Sequence, residues 1–323
     1  MTTSEQQPLG SPFSAASTAE DVLAGTDLSG KTAVVTGGYS GLGLETTRAL
    51  AAAGARVIVP ARRPEAADAA LADVKGHEVV PMDLADLDSV REAARHISAS
   101  VTRLDLLMGV AGVMATPERR VGPGWESQLA ANHFGHFTLA CELYPLLAGA
   151  GGARVVLFSS AGHTLSDVRR DDPHFRTGYD KWLAYGQSKT ANALCAVHLD
   201  TLGRKDGVRA FAVHPGKIIT GLQREMDLQE QIALGWVDEH GDVVDATFKS
   251  PSQGAATGLW AATSPLLDGR GGLYLEDCEV AHVSAPDDAM DAGGVRGYAV
   301  DPDAAARLWE LSLAATGAAP VGR

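Results

Sequence analysis

A glycine-rich turn between an apolar run and a helical stretch constrains the fold of this chain most strongly. The run from Thr32 to Thr36 is rich in β-branched residues and is typical of a strand buried on both faces. The pattern T-G-x-x-x-G-x-G follows, with glycines at Gly37, Gly41 and Gly43, and leads into the helical stretch Leu44 to Ala53. This order directs backbone N–H groups and a helix N-terminus at a pyrophosphate. It predicts a dinucleotide-binding turn; a glycine turn that only packs a helix is the less favoured alternative.

Strand-like and helix-like segments alternate along the rest of the chain. The alternation, without internal repeats or a linker, predicts an α/β fold: a single doubly wound, Rossmann-type parallel sheet of about seven strands flanked by helices. The predicted strands after the first one lie at residues 56–60, 78–82, 104–112, 154–158, 208–213 and 272–275.

Two segments stand outside this alternation. Residues 1 to about 28 are rich in Ser, Thr, Gln and Ala and predict a flexible leader with little to bury, followed by one domain over 29–323. Residues 221–250 lack a clear periodicity, and so long a connection suggests a lid or substrate loop. We expect Leu222 and Met226 in this segment to close over a substrate.

The end of the second strand predicts the cofactor. An acidic residue about twenty positions after the first glycine would bind the ribose 2′-hydroxyl of NAD. Ala61 stands there instead, followed by Arg62 and Arg63. A guanidinium can pair with a 2′-phosphate, which favours NADP(H); a solvated pair of surface arginines is the alternative. Asp83, just past the third strand, either caps the next helix or holds the adenine amino group.

Composition excludes several classes of protein. A net charge of -13 argues against a nucleic-acid partner. The ten histidines and three cysteines show no metal-binding spacing, and the few, scattered cysteines are typical of reduced thiols in a cytoplasmic protein. No apolar run reaches the length of a membrane span, and no signal peptide is indicated.

The pattern Tyr185-x-x-x-Lys189 is the strongest candidate for chemistry. Residues four apart lie on one face of a helix, so the phenol and the ammonium would project together. A free phenol ionises near pH 10, and an adjacent cation would pull that pKa toward the working range of a general acid or base. Ser160 follows the fifth strand, at the sheet edge where ligands bind, and could donate to a substrate oxygen.

These segments, in this order, resemble the short-chain dehydrogenase/reductase family over residues 28 to about 283. Within that family the chain is most similar to the branch of retinol dehydrogenases, WW-domain oxidoreductases and light-dependent protochlorophyllide reductases. The motifs that carry the resemblance are Thr36-Gly37-x-x-x-Gly41-x-Gly43, Asp83, Asn132-His133-Phe134-Gly135-His136-Phe137, Ser160, Tyr185-x-x-x-Lys189 with Gly186-Gln187-Ser188-Lys189-Thr190-Ala191-Asn192, and Pro215-Gly216-x-x-x-Thr220.

The resemblance implies roles for the matching residues. Tyr185 would exchange the proton with the substrate oxygen, Lys189 would lower the pKa of Tyr185 and hold the nicotinamide ribose, Ser160 would polarise the substrate oxygen, and Asn132 would hold a water in the proton relay. Ile218 and Thr220 would bind the carboxamide. The full set of expected NADP(H) contacts is Gly37, Tyr39, Ser40, Gly41, Leu42, Gly43, Arg62, Arg63, Asp83, Leu84, Ala111, Gly112, Pro215, Gly216, Ile218 and Thr220.

Two departures from the family pattern matter. The family usually has Asn-Asn-Ala-Gly after the fourth strand, whereas this chain has Gly109-Val110-Ala111-Gly112, which lacks the hydrogen bonds of both asparagines. That puts the local rigidity, and with it the affinity for the cofactor, in question. The insertion between Ser160 and Tyr185 is also longer than in the shortest members, and its His163, Tyr179 and Trp182 are candidate substrate contacts; a hydrogen-bonded structural histidine is an equal alternative for His163.

The leading functional hypothesis is an NADPH-dependent carbonyl reductase, reversibly an alcohol dehydrogenase. Few aromatic residues and an aliphatic lid segment suggest a lipophilic small molecule as substrate. Reduction of a carbon–carbon double bond and a non-catalytic NADP-binding regulatory role are the alternatives. Further copies of the chain, in a dimer or tetramer, are the other expected partner.

Overall fold

Twelve strands occur in residues 6–322, the part of the chain that the computed structural model describes. They are β1 Thr32–Val35, β2 Arg56–Ala61, β3 His77–Pro81, β4 Leu106–Gly109, β5 Arg120–Val121, β6 Trp125–Glu126, β7 Arg154–Phe158, β8 Arg209–His214, β9 Leu273–Glu276, β10 Glu279–Val280, β11 Val283–Ser284 and β12 Val295–Arg296.

The helices of the same residues are α1 Ala19–Leu23, α2 Gly41–Ala52, α3 Pro64–Ala70, α4 Leu87–Ser100, α5 Ser127–Leu129, α6 Gly135–Gly149, α7 Lys181–Gly203, α8 Leu228–Ala233, α9 Pro251–Thr263 and α10 Pro302–Thr316. A π-helical segment, Ala130–Phe134, joins α5 to α6. Single 3-10 turns lie at Ala161–Leu165, Arg204–Asp206, Gly221–Glu225, Pro265–Leu267, Met290–Ala292 and Gly297–Val300.

Eight of the strands described over 6–322 form the central sheet, in the order β10-β9-β8-β7-β4-β1-β2-β3. Seven of them are parallel, which confirms the predicted doubly wound fold. The eighth strand, β10, is an antiparallel addition, and the two-residue turn before it needs positive φ at Asp277 (51°) and Cys278 (58°). The strand order reverses between β1 and β4, so a crevice for ligands opens at their carboxyl ends.

The sheet is buried on both faces. Alternate residues of a strand point to opposite faces; Val34 and Ile58 accordingly belong to one hydrophobic cluster, and Val35 and Val59 to the other. Helices α4, α6, α7 and α10 cover the first face, and α1, α2 and α9 cover the second. Two-sided burial explains why the central strands read as continuous apolar runs in the sequence.

The N-terminal segment is packed against this domain. Gln6 is buried and donates to the carbonyl oxygens of Tyr274 (2.6 Å) and Ala281 (2.7 Å), and the backbone N–H groups of residues 9–11 donate to the Glu279 carboxylate at 2.7–2.8 Å. Helix α1 packs on α9 through buried apolar residues. The prediction that the leader has little to bury is therefore wrong for residues 6–28; residues 1–5 lie outside the described part.

Candidate active site

Helix α7 carries Tyr185 and Lys189 to the carboxyl end of the sheet. The helix starts where the Asp180 carboxylate accepts hydrogen bonds from the N–H groups of Trp182 and Leu183. Tyr185 and Lys189 are both buried at 4% exposure, and the Lys189 Nζ lies 5.6 Å from the centroid of the Tyr185 ring. The two side chains therefore share one face of the helix, as their spacing predicts.

Ser160 lies two residues after strand β7, in the turn that meets the Tyr185 ring. Its Oγ accepts a hydrogen bond from the Gly162 N–H at 3.0 Å, which leaves the hydroxyl hydrogen free to donate. A Cβ on Gly162 would lie 2.8 Å from the Tyr185 Cε1 atom, so a glycine is needed where this turn meets the phenol ring. The serine loop and the tyrosine helix are thus in direct contact.

Asn132 lies in the π-helical segment before α6. Its side chain accepts from the Val113 N–H at 2.8 Å and donates to the Val113 carbonyl at 2.9 Å and to the Ser188 Oγ at 2.8 Å. Single π-helical turns inside α-helices are frequent at functional sites. The side chain here is fixed by protein groups and connects the loop after β4 to helix α7.

Burial decides the protonation states of the central pair. It raises the pKa of the Tyr185 phenol to about 12, while the neighbouring Ser160 side chain acts in the opposite direction. Burial also lowers the pKa of the Lys189 ammonium to about 8. The expected lowering of the Tyr185 pKa by Lys189 is not seen here: the pKa is raised, and the loss of hydration of the phenolate is the main cause. The phenol is protonated at neutral pH and can act as a proton donor.

Lys189 is held at the end of β7. Its Nζ donates to the Phe158 carbonyl oxygen at 3.0 Å, and the Asn192 Nδ2 donates to the same oxygen at 3.0 Å. An ammonium carries three N–H bonds. Lys189 therefore has further donors to offer beside the Tyr185 phenol.

The glycine turn has the features of a pyrophosphate site. Gly37 has φ +65°, and a Cβ there would lie 3.1 Å from the Ala111 Cα. A side chain at Gly43 would overlap the Gly37 carbonyl group, so the start of α2 is pressed against the turn. Ser40 precedes α2 but its side chain does not cap the N-terminus of the helix, and the first turn of α2 has no acidic residue. Its free N–H groups and the positive end of the helix dipole fit an anion.

The residues expected at the adenosine end lie around β2 and β3. Arg62 and Arg63 follow β2 and are exposed. Within residues 6–322 neither Arg62 nor Arg63 forms an ion pair, whereas the nearby Arg56 pairs with Glu78 at 2.5 Å. The Asp83 Oδ1 accepts a hydrogen bond from the Ala85 N–H at 2.9 Å. The cap of α4 is Asp86, so the capping alternative for Asp83 is wrong.

The segment after β8 lies over the glycine turn. A Cβ on Gly41 would lie 3.2 Å from the Thr220 Cβ, and a Cβ on Gly254 would lie 2.8 Å from the Ile218 Cγ1. Gly216 has φ +94°, a conformation that favours glycine. Gly112 lies near the catalytic candidates instead: a Cβ there would lie 3.1 Å from the Asn132 Oδ1 and 3.6 Å from the Lys189 Nζ.

An apolar cluster packs around the Tyr185 ring. The Trp182 ring meets the rings of Tyr185 and Trp236 edge-on, each with centroids 6.4 Å apart. Leu222 and Met226, from residues 221–250 (the lid segment), belong to the same cluster. We call it the apolar cluster; it comprises Met114, Ala115, Trp182, Tyr185, Leu222, Met226 and Trp236.

Three members of the apolar cluster are not predicted from the sequence. Met114 and Ala115 lie in the loop after β4, and Ala115 has a positive φ of 48° that no sequence pattern indicates. Trp236 offers a signal in hindsight, since it is the single tryptophan of the lid segment. A large aromatic residue in a polar connection needs a partner surface.

Two predicted substrate contacts are structural residues instead. His163 is fully buried, with its Nδ1 donating to the Ser160 carbonyl at 2.7 Å and its Nε2 accepting from the Arg296 N–H at 3.0 Å. The Tyr179 hydroxyl donates to the Thr116 carbonyl at 2.8 Å and accepts from Gln128 at 3.2 Å. The polar atoms of both side chains are therefore already paired within the protein, which agrees with the structural alternative for His163.

Membrane-spanning helices and metal clusters are absent from the described residues. None of the helices in 6–322 combines the length and apolar character that crossing a bilayer requires. The same residues contain no group of three or more His, Cys, Asp or Glu side chains arranged to hold a metal ion.

Comparison with known proteins assigns the family. The short chain dehydrogenase family matches residues 31–231. A protein of Streptomyces lividans named "probable oxidoreductase" is 46% identical over 292 residues, covering 88% of this chain and 97% of its own. The chain belongs to the short-chain dehydrogenase family. It is therefore an oxidoreductase that acts on CH–OH or C=O groups.

Other members of the family place the chain more closely. Retinol dehydrogenase 12 of Mus musculus is 35% identical and covers 88% of this chain and 85% of its own. An uncharacterised protein of Mycobacterium paratuberculosis is similar in structure, with a TM-score of 0.72, 32% identity and coverage of 94% and 98%. The NADP complex of Pseudomonas aeruginosa RhlG has a TM-score of 0.61 at 25% identity, with coverage of 77% and 95%. The resemblance to retinol dehydrogenases is thereby confirmed.

Proposed function

We propose that this short-chain dehydrogenase is an NADP(H)-dependent enzyme that reduces the carbonyl group of a lipophilic small molecule to an alcohol, and catalyses the reverse reaction. The observation that carries the proposal is the contact between a protonated, buried Tyr185 and the Ser160 loop, beneath an apolar cover. A bound NADPH supplies the hydride.

The residues around the glycine turn fit NADP(H). The uncapped N-terminus of α2 fits the pyrophosphate, and the exposed Arg62 and Arg63 fit a 2′-phosphate, which a carboxylate at this point would repel. A relative of 25% identity is known as an NADP complex, which also favours this cofactor. The N–H groups that Lys189 does not use at Phe158 are placed for ribose hydroxyls.

Ser160 and Tyr185 can together receive a substrate oxygen. The Ser160 hydroxyl accepts from Gly162 and keeps its own hydrogen for an acceptor. The Tyr185 phenol, whose pKa is raised by burial, is protonated at neutral pH and can transfer that proton to an oxygen that gains negative charge. Two donors aimed at one oxygen suit a carbonyl group better than a carbon–carbon double bond.

We expect the apolar cluster to select the substrate. Its members from the loop after β4, from α7 and from the lid segment present methyl, thioether and indole groups to the Tyr185 ring. Such a lining favours an apolar body around the reacting carbonyl. The name of the relative retinol dehydrogenase 12 indicates a lipophilic alcohol for that protein, which agrees with this assignment.

An assay of cofactor oxidation tests the proposal. NADPH and NADH are each supplied with a series of ketones, aldehydes and enones of increasing apolar size, and the products are identified. We expect alcohol products, faster turnover with NADPH, and a KM that falls with apolar size. Saturated ketones as the product from enones would identify a double-bond reductase, and NADPH binding without turnover of any carbonyl would contradict an enzymatic role.

A further inference from the structure

His136 is a buried residue of α6 whose two ring nitrogens are both bonded to parts of the site. The Nδ1 lies 2.9 Å from the Asn132 carbonyl oxygen, and the Nε2 lies 2.8 Å from the Thr36 Oγ1. Since a carbonyl only accepts, the Nδ1 carries the hydrogen and the Nε2 accepts from the Thr36 hydroxyl. The Thr36 Oγ1 in turn accepts from the Ala111 N–H at 3.1 Å.

The hydrogen bonds therefore run in one direction through three elements. The Ala111 N–H belongs to the loop after β4, Thr36 starts the glycine turn, and Asn132 lies in the π-helical segment. Every polar atom in this series has a partner, and fully satisfied buried networks make a site rigid. The low pKa of His136, about 4 because of burial, keeps the ring neutral and the series intact at neutral pH.

The imidazole also fills the space beside Gly109. A Cβ on Gly109 would lie 3.1 Å from the His136 Cδ2 and 2.9 Å from the Leu157 Cδ2. A side chain at 109 could not be added without displacing the ring or Leu157. The space beside the end of β4 is therefore filled by the His136 side chain of α6 and not by a side chain of β4 itself.

We propose that His136 is a positioning residue that holds the glycine turn, the loop after β4 and the Asn132 segment in register, and that it supplies the polar contacts that Gly109 cannot make. Through Thr36 it fixes the turn expected to bind the pyrophosphate. Through the Asn132 carbonyl it fixes the segment whose side chain is bonded to Ser188 on the Tyr185 helix. The functional part of this inference rests on the proposed NADP(H)-dependent activity.

Replacement of His136 by Phe and by Gln provides the test. His136→Phe keeps an aromatic ring and removes both hydrogen bonds, whereas His136→Gln retains one donor and one acceptor. The matched control is His133→Phe, because His133 is equally buried on the same helical stretch but bonds the Ser312 Oγ at 2.7 Å, away from Tyr185. Amide hydrogen exchange, NADPH binding followed by fluorescence, and kcat are measured for each variant.

We expect His136→Phe to accelerate exchange at the Ala111 amide, to weaken NADPH binding and to lower kcat by about 10- to 100-fold, as small misplacements of reacting groups do. His136→Gln should restore most of each loss, and His133→Phe should lower only the melting temperature. Unchanged exchange at Ala111 in His136→Phe, or equal losses of kcat in the two Phe variants, would overturn the inference.

If the wild-type protein does not bind NADPH, the proposed function fails, while the exchange measurement still tests the role of His136. Should His136→Phe not fold, Thr36→Val, which removes the same hydroxyl link, takes its place with the same expected results.

Discussion

The Asn132 Nδ2 donates a hydrogen bond to the Ser188 Oγ at 2.8 Å, and the Ser188 hydroxyl donates to the Tyr185 carbonyl at 2.8 Å. These two bonds join the π-helical segment to the first turns of α7, which present Tyr185 and Lys189. Asn132 and Ser188 are both fully buried, so water cannot replace a hydrogen bond that is lost between them. The position of the phenol thus depends on a buried polar contact between two helices.

We expect Ser188→Ala to lower both stability and turnover. The substitution leaves the Asn132 amide hydrogen unpaired inside the protein, which costs about 1–3 kcal/mol. Chemical denaturation and kcat measure the two effects, and Ser312→Ala, at a buried serine on α10, serves as the control that should lose stability without a specific loss of kcat. A Ser188→Ala enzyme with wild-type kcat would show that the link does not position Tyr185.

The cofactor preference should depend on Arg62. We expect a clear preference of the wild-type enzyme for NADPH, and its loss or reversal in Arg62→Asp, because a guanidinium–phosphate pair is replaced by repulsion at a cost of about 2–3 kcal/mol. Dissociation constants for both cofactors measure the change. Arg270→Asp, at an exposed arginine, should leave the preference as it is. Equal affinities of the wild type for NADH and NADPH would identify the two arginines as solvated surface residues.

Cofactor binding should weaken as the pH rises through about 8, the lowered pKa of Lys189. Above that value the buried amine loses its charge, and binding of an anionic cofactor must be accompanied by uptake of a proton. The same shift from 10.5 makes the folded protein bind fewer protons than the unfolded chain between pH 8 and 10.5, so this group adds stability as the pH rises across that range. Calorimetric titration in buffers of different ionisation enthalpy measures the uptake. A constant affinity between pH 7 and 10, without proton uptake, would contradict a role of the Lys189 charge.

Substrate choice should depend on the lid segment through Trp236. We expect Trp236→Ala to raise KM for large apolar carbonyls severalfold and to leave NADPH affinity unchanged, since the indole belongs to the apolar cluster and not to the glycine turn. Steady-state kinetics with a small and a large ketone measure the effect. Leu234→Ala is the control from the same segment, because Leu234 is 45% exposed. Similar KM changes for both ketones would show that the lid segment does not discriminate between substrates by size.

The sequence predicts the sheet and the central residues because both depend on local patterns. Apolar β-branched runs mark the buried strands, and a spacing of four on one helix is enough to bring Tyr185 beside Lys189. Strand β10 is two residues long, too short for a periodicity. The sequence leaves two alternatives open for His163 because the N–H that fixes its ring comes from Arg296, far away in the chain. The packing of residues 6–28 depends on single contacts such as Gln6 with Tyr274, which composition does not reveal.

The pKa of Tyr185 shows a similar limit. A lysine four residues away predicts a lowered pKa, but the size of the opposing effect depends on how deeply the phenol is buried, which is a property of the whole fold. The contacts of His136 with Thr36 and Asn132 likewise appear only when β1 and α6 are in place.

Replacement of Tyr185 by Phe tests the central claim most directly. The variant keeps the ring that packs against Gly162 and Trp182 and removes only the hydroxyl that is proposed to donate the proton. NADPH affinity and kcat for the best carbonyl substrate of the wild type are measured in parallel on both proteins. We predict an unchanged dissociation constant for NADPH together with loss of turnover by about 1,000-fold or more, within the range that general acid catalysis contributes. Turnover within about tenfold of the wild type would contradict the account.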